Sequence, residues 1–569
     1  MRVKLLLQTL FLTVSWQVAA QDLSTNYKEV SKGNPISPCV FCADPTALVY
    51  DGRIYVYGSN DHQQFISNGK TGDNGYGAIK SLVVFSSDDM LNWTFHGTID
   101  VGRICNSWGW RFANSWAPSA TWRENADGTK EFFLYFSNSG GSVGVLKASS
   151  PLGPWKSPLS KPLIDGDTPG VKPCSWVFDP GVVIDANGTG WIAFGGGDPN
   201  SQGNALLPGN CRIAKLKDSM TALDGSAVSL PAPYHFEASE LNMMDGKYVY
   251  TYCTSWSGRD DWNQYDKRGN NSAPSTCSMC YMVSDDPLNS DSWEYRGEYV
   301  ANPGSFGFGW GNNHTHLEKF GDHYYLFYHS MMLEQAMNTG ASGFRSIGVD
   351  EVTVNESTQK ISKMTMTKEG PDPIKYMNPY QWQQAETMST AAGVDYEDFT
   401  NITRVVASNL GNDASGNLQV KMNTGDWTML RKVDFGDNGA KSFTLRAKGT
   451  GTMEVRLSQK WAPAVASVTF SSTTFEDYVV SVNTAKCKGV KQVYFVFTDA
   501  DGVQFDAWQF EEDNPDGIES VVSHPQKPVE KYDLSGRRIT NNSAQSGVVI
   551  DRYVDEKGVR HSRKHFGAH

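Results

Sequence analysis

The feature that most constrains this chain is one pattern written five times: an apolar stretch, a turn of Gly with Asp or Asn, then an aromatic-rich strand. The copies are ALVYDGRIYVYGS (47–59), ENADGTKEFFLYFS (124–137), VVIDANGTGWIAFGG (182–196), LNMMDGKYVYTYC (241–253) and LEKFGDHYYLFYH (317–329). Asp-Gly and Asn-Gly supply the positive φ of a tight turn, and the flanks are β-formers, so each copy reads as a β-hairpin. A second phrase trails three copies and ends on Trp93, Trp155 or Trp293, as outer strands of the same units would. Units of this kind, longer than a usual propeller repeat of ~40–45 residues, predict a five-bladed β-propeller with room for loops. A pair of β-sandwiches is the rival, but sandwiches do not demand five matching hairpins.

The repeat also says where chemistry would collect. The innermost strand of each blade lines the central axis, so positions just ahead of each hairpin should ring one end of the tunnel. Those positions hold Asp44 in CADPTA, Trp116 in SWAPSA, Asp179 in FDPGV, Glu237 in HFEASE and His314 in NNHTH. Any one of the acids alone reads as a turn residue or a solvated carboxylate. Three at matching repeat positions point to glycosidic chemistry, in which one carboxyl protonates the leaving oxygen and another activates water. No Ser-His-Asp signature, phosphate-cradling Gly loop or HExxH pattern competes with them.

At these residues the sequence resembles glycoside hydrolase family 43, over roughly residues 28–370. The resemblance implies a five-bladed propeller and an inverting mechanism. It matches Asp44 in ADPTALVYDGRIYVYGS to the family's general base, Asp179 in FDPGVVIDANG to the acid that positions and tunes the proton donor, and Glu237 in FEAS to the general acid. Glu240, three residues on, is the alternative donor. An ionised neighbour disfavours a second negative charge, so Asp179 would help keep Glu237 protonated. Inversion requires the base and acid carboxyls to stand ~6.5–9.5 Å apart, leaving space for water. His314 matches a histidine on the axis beside a bound calcium or its water shell, with a core histidine as the alternative, since calcium prefers oxygen ligands. Arg345 in GFRSIGVD resembles an arginine that reaches the sugar, with a surface ion pair as the alternative. Trp116 would form an apolar wall of the pocket.

Beyond GPDPIKYMNPYQW the composition shifts, and Pro371, Pro373 and Pro379 mark a stiff linker over 371–380. Short alternating strands such as KSFTLRA, TMEVRLS and QVYFVFTD read as a β-sandwich of the jelly-roll kind over 381–512. The chain is therefore all-β. QQAETM, GDWTMLRKVDFGDNGAKSFTLRA and FDAWQFEE resemble carbohydrate-binding module family 6. That resemblance matches Glu386 and Asp506 to carboxylates of a structural calcium site, and makes Trp427 and Phe475 candidates for the platform that stacks on a sugar ring, with a place in the core as the alternative for each. The tail, 513–569, with VEKYDLSGRRI and GVVIDRYVDEKGVRHSRK, looks like the small C-terminal modules of some secreted bacterial glycanases, with sorting or surface attachment and a merely decorative tail as equal alternatives.

The first residues, MRVKLLLQTLFLTVSWQVAAQ, carry Arg2 and Lys4, an apolar run and the small-residue pattern Val18-Ala19-Ala20. They read as a signal peptide, 1–20, which predicts a secreted, cell-surface or periplasmic protein. No later segment is apolar enough to span a membrane. Nine cysteines include Cys39-x-x-Cys42 and Cys277-x-x-Cys280, which in a secreted protein read as disulfides or buried thiols rather than a zinc site. A net charge of -12, from 62 acidic against 50 basic residues, argues against nucleic acid as a partner. The two resemblances together imply release of L-arabinofuranose from arabinoxylan, a pentose-containing plant polysaccharide. β-D-Xylosidase activity is the alternative within the family, and a non-catalytic sugar-binding propeller is the alternative outside it.

Overall fold

The structure is a computed structural model that describes residues 22–197, 205–269, 271–394 and 418–513, together with the backbone of three strands near the C-terminus. The N-terminal signal-peptide expectation lies outside the described residues. All five expected hairpins form: Ala43–Tyr50 with Arg53–Ser59, Trp116–Glu124 with Lys130–Asn138, Gly181–Ile184 with Gly190–Gly195, His235–Met244 with Lys247–Thr254, and Thr315–Phe320 with His323–Ser330. In the first hairpin Asp51 and Gly52 both take positive φ (48° and 72°), and Asp245 and Gly246 repeat this in the fourth (47° and 75°). A turn with two positive-φ residues matches the twist of the strands it joins. Each hairpin is the inner half of a blade, and the first four blades run inner to outer as four antiparallel strands in chain order. The outer strands of the first and fourth, Trp93–Ile99 and Glu294–Val300, start at or directly after the expected tryptophans.

The fifth blade has three strands of its own, ending with Ser346–Glu351. Its open side is taken by the chain's N-terminal segment: Cys42 and Ile36 donate backbone hydrogen bonds to Arg345 and Ile347, and Asn34 exchanges side-chain bonds with Val349. Joining chain start to last blade closes the ring and leaves no free edge there. Aromatics bind neighbouring blades through polar tips, half-buried Trp122 from Nε1 to the Val49 carbonyl (2.9 Å) and buried Tyr135 from Oη to the Met220 carbonyl (2.6 Å).

The second module is an eight-stranded hydrogen-bonded network around Phe443, Phe495, Phe505, Trp508 and Phe510. Its spine, Ala440–Leu457, pairs with three neighbours in turn, and register shifts near Gly449 (φ 112°) let it bend from one layer into the other. The segment 371–380 does not hold this module at a distance. Met377 pairs with the backbone of Lys432 and Asp434, and Thr387–Met388 adds a fifth strand to the first blade, against Thr94 and Trp93. Thr387 and Thr94 share a 2.8 Å hydroxyl bond, Asn92 and Arg431 exchange two 2.9 Å bonds, and a single apolar core runs through both modules. Of the tail, Glu530–Tyr532, Val548–Val554 and Arg560–Phe566 form a separate three-stranded antiparallel sheet.

Candidate active site

Four inner strands enter the axis through the same backbone irregularity. Asp44, Ala117, Asp179 and Ala238 all have φ between 37° and 62°. In three of those strands the hairpin register shifts at that point, between Ala43 and Thr46, Trp116 and Ser119, and Glu237 and Glu240. A non-glycine residue in this region costs about 1–3 kcal/mol, so the bulge persists only because neighbours fix it. The amides of Asp44, Ala117, Asp179 and Ala238 donate to His329 Nδ1 (3.1 Å), Ser59 Oγ (2.7 Å), Ser137 Oγ (2.7 Å) and Asp179 Oδ2 (2.9 Å), each on a preceding blade. The matching positions of the sequence repeat are thus offset by one residue in space. Asp44 and Asp179 are the bulge residues themselves, whereas Trp116 and Glu237 stand immediately before them. All four side chains still reach one cavity of about 330 Å³, shared with His314 and Arg345.

The acids occupy different electrostatic surroundings. Burial alone would raise the Asp44 carboxyl, but Arg345 Nη1 donates to its Oδ1 at 2.7 Å and holds it well below the usual carboxylate range. Ser59 Oγ donates to its other oxygen at 2.7 Å. His329 donates from Nε2 to the Asn312 carbonyl, which leaves Nδ1 to accept the Asp44 amide. Glu237 has no such cation. Burial, then the charge of Asp179, pushes it well up, and its Oε1 has no protein partner. Asp179 is itself raised to about 7, first by burial and then by Asp44, although Ser137 and the Ala238 amide bond its oxygens. One carboxylate held ionised and another held protonated in one cavity is what acid–base cleavage of an acetal requires.

Arg345 is not a surface residue; it is 3% exposed. Asp61 accepts from its Nε (2.9 Å), its Nη2 (2.8 Å) and its backbone amide (3.1 Å), so the guanidinium is clamped on one side and aimed at Asp44 on the other. Tyr76 lies under the guanidinium at 5.1 Å, and its carbonyl accepts from Trp116 Nε1 at 3.2 Å. Sequence reading missed Asp61 and Tyr76. Asp61 opens a short helix in GSNDH and reads locally as a first-turn acid, because its partner lies 284 residues away. The exposed Trp176 of the cavity rim had no signal beyond its residue type. Glu240, the alternative donor, does not line the cavity; it pairs with His316 at 3.1 Å within the axis, and His316 is raised to about 10, its burial outweighed by Glu240.

One expectation is corrected and one is narrowed. Trp427 is fully buried and its Nε1 donates to the Ser24 carbonyl at 3.0 Å, so it packs the module against the N-terminal segment and offers no face to a sugar. His314 stands 3.8 Å from Asp44 Oδ1, beside the guanidinium already paired with that oxygen, and burial lowers it to about 3. Among the described residues no group of three or more His, Cys, Asp or Glu side chains surrounds it for a metal bound directly to the ring, while its neutral, buried Nε2, which has no protein partner, suits a water of a calcium's shell. Glu386 differs: it is buried, both carboxylate oxygens lack a protein partner, and it feels the charge of Asp506. That pair fits a hard cation, although Asp506 already accepts from Arg446 at 3.0 Å. Phe475 is half-buried with Lys448 6.0 Å from its ring centre. All nine cysteines but Cys174 are buried.

Fold and cavity define a propeller glycoside hydrolase working through carboxylates. The comparisons agree: the family model for glycosyl hydrolases family 43 matches residues 32–358, and that for carbohydrate binding module (family 6) matches 384–512. The chain belongs to glycosyl hydrolase family 43 and is an enzyme. It is 36% identical over 496 residues to an arabinoxylan arabinofuranohydrolase of Paenibacillus polymyxa, covering 84% of this chain and 74% of that one. It is 34% identical over 513 residues to an arabinoxylan arabinofuranohydrolase of Bacillus subtilis (strain 168), covering 86% and 94%. A crystal structure of the Bacillus subtilis arabinoxylan arabinofuranohydrolase in complex with cellotetraose superposes with a TM-score of 0.76 at 34% identity, over 86% of this chain and 99% of that one.

Proposed function

We propose that this enzyme releases L-arabinofuranose from arabinoxylan with inversion, Asp44 drawing the proton from water and Glu237 giving one to the leaving oxygen. The observation that carries the reading is the opposed state of the two carboxyls: Asp44 has a guanidinium at 2.7 Å, and Glu237 is buried without one. Water attacks the anomeric carbon as Asp44 takes its proton, while the C–O bond to the xylan hydroxyl breaks and Glu237 protonates that oxygen. Asp179, next to Glu237, adds to the field that keeps the acid protonated and binds the Ala238 amide that fixes its backbone. The arabinofuranohydrolase relatives support arabinose over xylose as the sugar removed.

Export through the segment 1–20 and a structural calcium held by Glu386 and Asp506 complete the reading. Calcium would fix the second module and supply no step of the reaction. The test is hydrolysis of wheat arabinoxylan beside para-nitrophenyl α-L-arabinofuranoside and β-D-xyloside, with proton NMR of the first-formed anomer. Arabinose released as the inverted anomer is the expected result. Xylose as the main product would overturn the substrate, and a retained anomer would overturn the roles of Asp44 and Glu237.

A further inference from the structure

Two thiols lie behind the wall that carries Glu237. Cys253 stands opposite Glu237 in the fourth blade's hairpin and opposite Met279 on its other side, so ladders hold it from both directions. Cys277 precedes the strand Met279–Ser284 at φ 47°, with its amide bonded to the Ser255 carbonyl at 3.0 Å. The two sulfurs are 3.6 Å apart and both residues are fully buried. Cys277 also anchors the cavity. Its Sγ donates to the Gly311 carbonyl (3.4 Å), its own carbonyl accepts from Asn313 Nδ2 (3.2 Å) and Asn302 Nδ2 (3.3 Å), and Asn313 lines the cavity.

We infer that Cys253 and Cys277 are an oxidation site, at which a peroxide closes a disulfide that displaces the Asn312–His314 wall and slows turnover reversibly. Cys277 attacks an oxygen of hydrogen peroxide while its thiol proton passes to the departing oxygen; the O–O bond breaks, and a sulfenic acid and a water result. The second thiol attacks that sulfur, the S–S bond forms, the S–O bond breaks and a second water leaves. Two thiols lose two electrons and two protons, and the peroxide becomes two waters. The sulfurs must close from 3.6 Å to ~2.05 Å. Cys253 is pinned in its ladders, so the displacement falls on Cys277. The Sγ bond to Gly311 is lost, and the carbonyl that holds Asn313 moves.

The inference rests on the cavity being the active site. The full chain is treated with hydrogen peroxide, then alkylated under denaturing conditions and digested, with kcat on arabinoxylan measured in parallel before and after dithiothreitol. The expected result is a 253–277 crosslinked peptide and a loss of kcat on the order of ten-fold, since small misplacements near the reacting atoms cost up to ~10²-fold. Dithiothreitol should reverse both, and Cys253→Ala should show neither. If that variant does not fold, Cys277→Ser serves in its place. Both thiols still alkylating after peroxide, or a crosslink with unchanged kcat, would overturn the inference. An untreated enzyme inactive on every pentoside would instead overturn the functional reading, because the crosslink is scored without activity.

Discussion

The propeller and the second module are built from the same material, antiparallel strands with alternating faces, yet only the propeller gathers its chemical side chains in one place. Five repeats share an axis, so a residue at a given repeat position must point at its four counterparts. Asp44, Asp179 and Glu237 meet for that reason, although Asp44 lies more than a hundred residues from both partners. The second module has no axis. A one-residue choice of register decides whether an aromatic faces the core or solvent, and Trp427 went to the core while Phe475 stayed half-buried. Convergence there needs information beyond periodicity.

The sharpest test of this contrast is at the propeller's centre. Asp44→Asn should lower kcat on arabinoxylan by ~10²–10⁴-fold with substrate binding retained, as removal of a general base does; near-normal turnover would mean that the axis does not carry the chemistry. Next in size, Trp427→Ala should cost about 3–5 kcal/mol of stability in denaturant unfolding without a specific loss of xylan retention, because its indole is core. Phe475→Ala should do the reverse, and equal behaviour of the two would erase the distinction between core and platform.

Asp61→Asn should lower kcat by roughly 10–100-fold, through misaim of the guanidinium rather than loss of a reacting group. A pH profile separates this from a merely structural effect. Arg345 favours the ionised form of Asp44, so a guanidinium held less firmly lets the Asp44 pKa rise, and the acidic limb of kcat/KM should move to higher pH. An unmoved limb would mean that Asp61 only supports the fold.

The smallest effects concern how the modules depend on each other. Deleting 381–512 uncovers the edge of the first blade at Trp93 and Thr94, and should lower the melting temperature of the propeller in calorimetry by several degrees, at about 4 °C or less per kcal/mol for a domain of this size. An unchanged transition would restore the picture of two independent domains. A chelator should shift the melting temperature of the intact chain by less, and Glu386→Gln should abolish that shift.

The five hairpins, their turns of Gly with Asp or Asn and the ring of acids were legible in the sequence because each depends on a few adjacent residues and on a repeat that carries them to one axis. Local periodicity, however, gave no warning of the one-residue offset between Asp44 and Glu237, since it comes from bulges whose positive φ is held by the His329 ring and the Asp179 carboxylate on neighbouring blades. The amino-acid sequence by itself determined the repeat, the all-β class and which carboxylates would meet. Only the tertiary structure decided their protonation, the clamp of Asp61 on Arg345, the burial of Trp427 and the strand that joins the two modules, because each is set by charge, solvent exclusion or pairing between segments far apart in the chain.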